Sequence, residues 1–211
     1  MADWATISAL ATAGGTLALA GVTFASVRSA NRSTRLAERS LLAGLRPVLV
    51  PARHDDPPQK IGFVENKWVK VPGGSAAFET SPEAIYLAMP VRNAGSGIAV
   101  LHGWQLYPER RLVPDGPTQL DAFHRLTRDL YVPVGDIGFW QGTFRDPSTG
   151  EFAAAKQAID ARMALTVDIL YGDHEGAQRV ISRFGFWPRE ESGLWTASVA
   201  RHWNVDRPGP R

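Results

Sequence analysis

The chain has no cysteine among its 211 residues. That excludes disulfides, thiol nucleophiles, cysteine-ligated zinc and iron–sulfur clusters, and leaves the compartment open. Lysine is scarce too, at four residues against nineteen arginines. Net charge is only +2, with a pI near 9.1. So weak a basic balance does not point to nucleic acid, and no nucleic-acid partner is expected. Motifs are missing as well. There is no GxxxxGK[ST] phosphate loop, and His174-Glu175 is followed by Gly176-Ala177-Gln178 rather than completing HExxH. NAGSGIA (93–99) lacks the third glycine of a dinucleotide turn, precedes a strand pattern and fails as a GxSxG elbow. No cofactor and no resident metal are expected.

Charge is also absent from residues 5–27, ATISALATAGGTLALAGVTFASV. As a helix this run would extend roughly 35 Å, against a hydrocarbon core of ~30 Å. It is weakly apolar, heavy in Ala, Thr and Gly, so a buried helix of a soluble protein is the competing reading. The flanks favour a membrane anchor. MADW carries no Lys or Arg, whereas Arg28, Arg32, Arg35 and Arg39 follow the run. A cleavable signal peptide carries its positive charge ahead of the apolar stretch. The positive-inside rule then expects an N-terminus outside, Trp4 at the outer interface, and everything after residue 28 in the cytoplasm. The four arginines share one face of a continuing helix. They read either as a stripe for anionic head groups of the bilayer or as a plain topology signal. Small residues four apart (Ala11 and Gly15, Gly14 and Ala18, Gly21 and Ala25) allow self-association of the helix. Leu36, Leu41, Leu42 and Leu45 give its continuation an apolar side, and Pro47 should end it.

Beyond Pro47 the pattern changes to period two. Strands are expected at 47–52, 85–93, 98–108, 130–134, 139–144, 164–171, 177–188 and 194–203, with a hairpin over 60–71 turning at Glu65-Asn66. NAGSG (93–97) should close a hairpin between its two neighbours. SxxE at Ser148 and Glu151 resembles a capping box opening a helix over about 151–161. Frequent turns without βα alternation indicate a mainly β fold: an antiparallel, Ig-like β-sandwich or a partly open barrel, with one short helix. The organisation expected is 1–46 transmembrane and juxtamembrane helix, 47–204 β-sandwich, and 205–211 loose tail.

The stretch most suggestive of chemistry is YGDHEG (171–176). Gly172 and Gly176 bracket an acid, an imidazole and an acid, which is also what a tight β-turn uses. Neighbours on an extended chain point in opposite directions, so Asp173, His174 and Glu175 do not readily share one ion. A metal or acid/base site would need His102 and His202 as well. Each also reads as an ordinary inner or edge residue of its strand. Asp168, alternating with Val167 and Ile169, is expected to face solvent. Arg110, Arg111, Arg125 and Arg128 read as solvated faces, with an anionic partner the less favoured alternative.

Four segments carry a resemblance: TFASVRSANRSTRLAERSLLAGLRP (23–47), PVRNAGSGIAVLHGW (90–104), LYGDHEGAQRVISRF (170–184) and RHWNVDRPGPR (201–211). Together the layout resembles a diffuse group of bacterial proteins, best represented in actinobacteria. These have one N-terminal transmembrane helix, a short basic helix and a small β-sandwich. Tyr171, Asp173 and Gly176 match the group's recurrent "Y.D..G" hairpin. The resemblance implies architecture and no activity. The function expected is a membrane-anchored, cytoplasm-facing binding or scaffolding module with an unidentified protein partner. The alternative is a membrane-tethered, metal-dependent hydrolase using Asp173, His174, His102 and His202.

Overall fold

The computed structural model describes residues 3–206 except 65, 112–114, 177 and 191; side chains at 4–7, 9–11, 18, 39, 42 and 43 also fall outside the description. The chain divides into two units, Met1–Ala43 and Gly44–Arg211.

The first unit is α1 (Trp4–Gly44), one uninterrupted helix of 41 residues. It contains no proline, and its threonines are accommodated by bonding backwards. The Thr12, Thr16, Thr23 and Thr34 hydroxyls donate to the carbonyls four residues earlier, at 2.8–3.0 Å. The helix ends at Gly44, ahead of Pro47. Among the described residues no helix is long and apolar enough to cross a membrane. The expected span is therefore not supported. Ala, Gly, Ser and Thr contribute little apolar surface, and Arg28, Arg32 and Arg35 enter the helix directly after it. Leu17 is 74% and Phe24 68% exposed.

The second unit is mainly β. Its strands are β1 (Leu49–Pro51), β2 (Gln59–Gly62), β3 (Trp68–Val71), β4 (Ser75–Thr80), β5 (Ile85–Asn93), β6 (Ala99–Tyr107), β7 (His124–Val132), β8 (Ile137–Phe144), β9 (Leu165–Asp173), β10 (Arg179–Pro188) and β11 (Trp195–Asn204). They do not form two Ig-like sheets. Nine join one antiparallel sheet in the order β1-β5-β4-β11-β10-β9-β6-β7, with β8 on the other side of β5. The sheet curls over its own core, so that Trp104 on β6 meets Trp140 and Phe144 on β8 at ring separations of 5.8 and 5.1 Å. The mainly β, antiparallel fold is as expected, here as a curled sheet that makes a half-barrel. β2 and β3 form a separate hairpin, turning through Asn66 at φ 55°, whose Ile61, Phe63, Val69 and Val71 cover Ala77 and Ala88 from outside.

The helix α2 (Gly150–Asp160) buries Phe152, Ala155, Ala158 and Ile159 in the main core. Its cap is Thr149, whose Oγ1 accepts from the Phe152 N–H at 3.2 Å; the expected cap, Ser148, instead donates to Asp146 at 2.6 Å. β4 lacks the period-two signal because its first four residues are all buried.

NAGSG is not a hairpin. β5 pairs with β1, β4 and β8, and β6 pairs with β7 and β9. The segment is a corner crossing the core, organised by buried Asn93. Its Nδ2 donates to the Gly97 and Val132 carbonyls at 2.7 and 3.0 Å, and its Oδ1 accepts from the Val48 and Gly95 N–H groups. A Cβ on Gly97 would lie 1.7 Å from the Leu45 carbonyl oxygen, so this corner requires glycine. At the C-terminus, Val205 and Asp206 are tied to Arg179 rather than loose; residues 207–211 lie outside the described residues.

Candidate functional site

YGDHEG is the β9–β10 hairpin. The strands pair antiparallel from Gly172↔Arg179 inward, and Gly176 takes φ 73°. Asp173 is buried and accepts from Gln178 Nε2 at 3.3 Å. His174 and Glu175 point to solvent and meet only each other among described contacts, at 3.1 Å. His102 is the extra residue where β6 bulges against β9, and its ring covers Gly172. Burial, reinforced by Arg179 and opposed by Asp129, holds the His102 imidazole below its ordinary pKa. His202 lies elsewhere, on the core face of β11, with Nδ1 2.6 Å from Ser182 Oγ. Among the described residues no three or more His, Asp or Glu gather to hold a metal ion. On α1, Arg28, Arg32 and Arg35 do share a face, together with Phe24 and Val27. Arg39 continues the helix, but its side chain lies outside the description.

Two polar clusters are sealed inside the β unit. On the core face, Ser182 Oγ links His202 to the Tyr171 hydroxyl at 2.8 Å, and that hydroxyl accepts from the Leu49 N–H at 3.1 Å. Burial raises the Tyr171 pKa, while the same burial, aided by the nearby Arg46 charge, lowers that of His202. On the outer face, Asp168 and Arg183 are both fully buried and pair twice at 2.8 Å. The expectation that Asp168 faces solvent fails because Thr118 lies over it. Thr118 donates to Asp168 through both its hydroxyl and its N–H, and Arg183 donates to the Gly116 carbonyl. Burial opposes the Arg183 charge, but Asp168 outweighs it and holds the guanidinium above its ordinary pKa. Ser182, Asp168 and Arg183, at the centres of these clusters, are 0% exposed.

The accessible site lies between β7 and β8. These strands are consecutive, yet no ladder joins them. Each pairs on one side only, β7 with β6 and β8 with β5, and they splay apart from the turn at 133–136. A bulge causes the splay: β6 pairs Leu101 with Leu130 and Gly103 with Arg125, so Leu126–Asp129 stand opposite His102 alone. The cleft floor is Trp104 and Gly142, packed so closely that a Cβ on Gly142 would lie 2.8 Å from the indole. His124 stacks on Trp104 at 4.8 Å, and its Nε2 lies 3.2 Å from a Glu151 carboxylate oxygen without hydrogen-bond alignment. The inner part encloses about 200 Å³ and runs into an outer groove of about 410 Å³ under the β2–β3 hairpin. Both parts share Val64, Thr127, Arg128 and Gln141. Arg125, Arg128 and Arg145 line the inner part and Lys60 the outer, and among the described residues neither lining includes a carboxylate. Gln141 Oε1 has no hydrogen-bond partner among the described residues.

This geometry defines the β unit as a half-open antiparallel barrel with a cationic seam. Comparison with protein-family models, with curated proteins and with solved structures found no match, so the site stands on its geometry alone. Sequence reasoning noted Arg125 and Arg128 but missed the cleft. A bulge of four residues leaves no periodic signal, and β7 reads as a strand only from Leu130 onward.

Proposed function

We propose that the protein is a binding module held at a membrane by α1, with its β unit on the cytoplasmic side and its partner seated in the β7–β8 cleft. The carrying observation is the seam: a continuous groove lined, among the described residues, by four cationic residues and no carboxylate, between two strand edges that no ladder joins. Unpaired edges and concave, partly apolar grooves are where proteins take up ligands. The membrane part of the reading is supported by exposed Leu17, Leu19, Val22, Phe24 and Val27, by internally bonded threonine hydroxyls, and by arginines following the apolar run. The metal-dependent alternative lacks a gathered set of three or more His, Asp or Glu among the described residues.

Two measurements test it. The full chain should float with vesicles containing anionic lipid, and Arg28→Glu with Arg32→Glu should weaken flotation. A benzoylphenylalanine photocrosslinker placed at Thr127 should give a discrete adduct in native membranes, and one placed at Arg110 none. A full chain left at the bottom of the gradient removes the membrane part. No adduct from Thr127 removes the cleft.

A further inference from the structure

We infer that the β7–β8 cleft takes an extended peptide segment rich in Asp and Glu, laid alongside β8. This rests on the reading of the cleft as the binding site and names its class of partner.

β8 is the regular edge. It pairs with β5 without a break from Ile137 to Phe144. An antiparallel strand paired on one side directs the N–H and C=O groups of alternate residues to the other, here into the cleft. β7 does not supply their partners, since no ladder joins it to β8. An added strand can. The side chains of β8 alternate cleanly. Trp140, Gly142 and Phe144 are buried, while Phe139, Gln141 and Thr143 are half-buried along the groove. A strand beside them would alternate in the same way, with apolar residues toward Val64, Leu126 and Phe139.

Charge sets the rest of the partner's composition. Among the described residues no carboxylate pairs with Arg125 or Arg128, and both are exposed on the rim. Arginine forks match carboxylates bidentately. Single-stranded nucleic acid would also answer the charge, but it needs aromatic faces on which bases stack. The exposed indole of Trp68 has none to give. Lys60 Nζ sits 4.8 Å from its ring centroid, and Gly62 packs so closely that a Cβ there would lie 2.9 Å from the ring. Trp104 is buried against His124 and Phe144. The cleft therefore suits a polypeptide backbone and carboxylates better than bases.

The test uses the full chain in detergent micelles on an array of octapeptides of known sequence, beside immobilised oligothymidylate. The expected result is retention of sequences enriched in Asp and Glu at alternate positions. Arg128→Glu should weaken the best of them on the order of tenfold, Arg128→Lys should weaken it less, and Arg110→Glu should leave it unchanged. N-methylating alternate amides of that peptide should abolish binding in one phase and spare it in the other, as strand addition requires. Retention of basic or unselected peptides, or of none, overturns the inference. So does binding that ignores Arg128→Glu or the methylation phase. Oligothymidylate retained through Arg128 overturns the peptide while leaving the cleft as a binding site. The Thr127 crosslink tests that site independently.

Discussion

Arg183 and Arg128 carry the same side chain to opposite fates. Arg183 sits in the middle of the sheet, fully buried, held by both oxygens of Asp168 and by the Gly116 carbonyl, with its guanidinium 4.9 Å from the Trp203 ring. Arg128 sits on a bulge at the sheet's edge, exposed, with no carboxylate partner among the described residues. A buried charge is tolerated only when the fold itself supplies its counter-charge. An exposed one costs the fold nothing and remains available to a ligand. The first arginine therefore belongs to the architecture, where it holds Gly116 directly and Thr118 through Asp168, and the second belongs to the surface proposed to meet a partner.

The sharpest way to break that comparison is to remove Asp168. Asp168→Ala leaves Arg183 buried without its partner and strands the Thr118 donors. The expected loss is about 3–5 kcal/mol, read from urea unfolding. Replacing the pair together by Asp168→Leu and Arg183→Met should recover most of it, because the desolvation cost vanishes with the charges. A single variant as stable as the parent would show that the segment over the pair opens and admits water.

The core-face cluster makes a second, smaller comparison, between a sealed neutral chain and a sealed ion pair. Tyr171→Phe leaves the Leu49 N–H without its acceptor and should cost about 1–3 kcal/mol in the same measurement. His202 in this chain, and His102 over Gly172, add a pH dependence. Burial depresses both imidazoles below their ordinary value of 6.5. The unfolded chain then takes up protons that the folded chain refuses, so stability rises with pH. It should be fully present above pH 6.5 and decline as pH falls through the folded values. Unfolding midpoints from about pH 8 down to about pH 5 check the sign, and His202→Gln should flatten the slope.

How much of this could be read from the residues alone divides along the same line. The strand set from Ile85 onward, the hairpin at Asn66, the α2 helix and the YGDHEG turn all carry local signals: alternation, glycine at a positive φ, a polar residue before a helix. What failed was non-local. Asn93-Ala-Gly-Ser-Gly97 has the composition of a hairpin turn, but its partners are Val48 and Val132, which no local pattern announces. Asp168 looked solvent-facing because alternation reports which side of a strand a residue takes, and not whether another segment lies on that side. The cleft was invisible for a related reason: a seam is a pairing that does not happen, and only the complete strand order displays it.

The smallest stability effect is expected in the cleft, and it decides whether the two arginines differ as described. Arg125→Glu and Arg128→Glu, singly or together, should move the unfolding midpoint by no more than about 0.5 kcal/mol, since neither side chain is buried or paired. The same variants should lose the acidic peptide. Binding lost without stability is the mark of a residue held for a partner. If Arg128→Glu instead unfolds the chain as readily as Asp168→Ala does, the bulge on β7 is held by its arginine. The splay of β7 from β8 would then be a packing feature of the sheet, and the cationic seam would lose its claim to be a binding site.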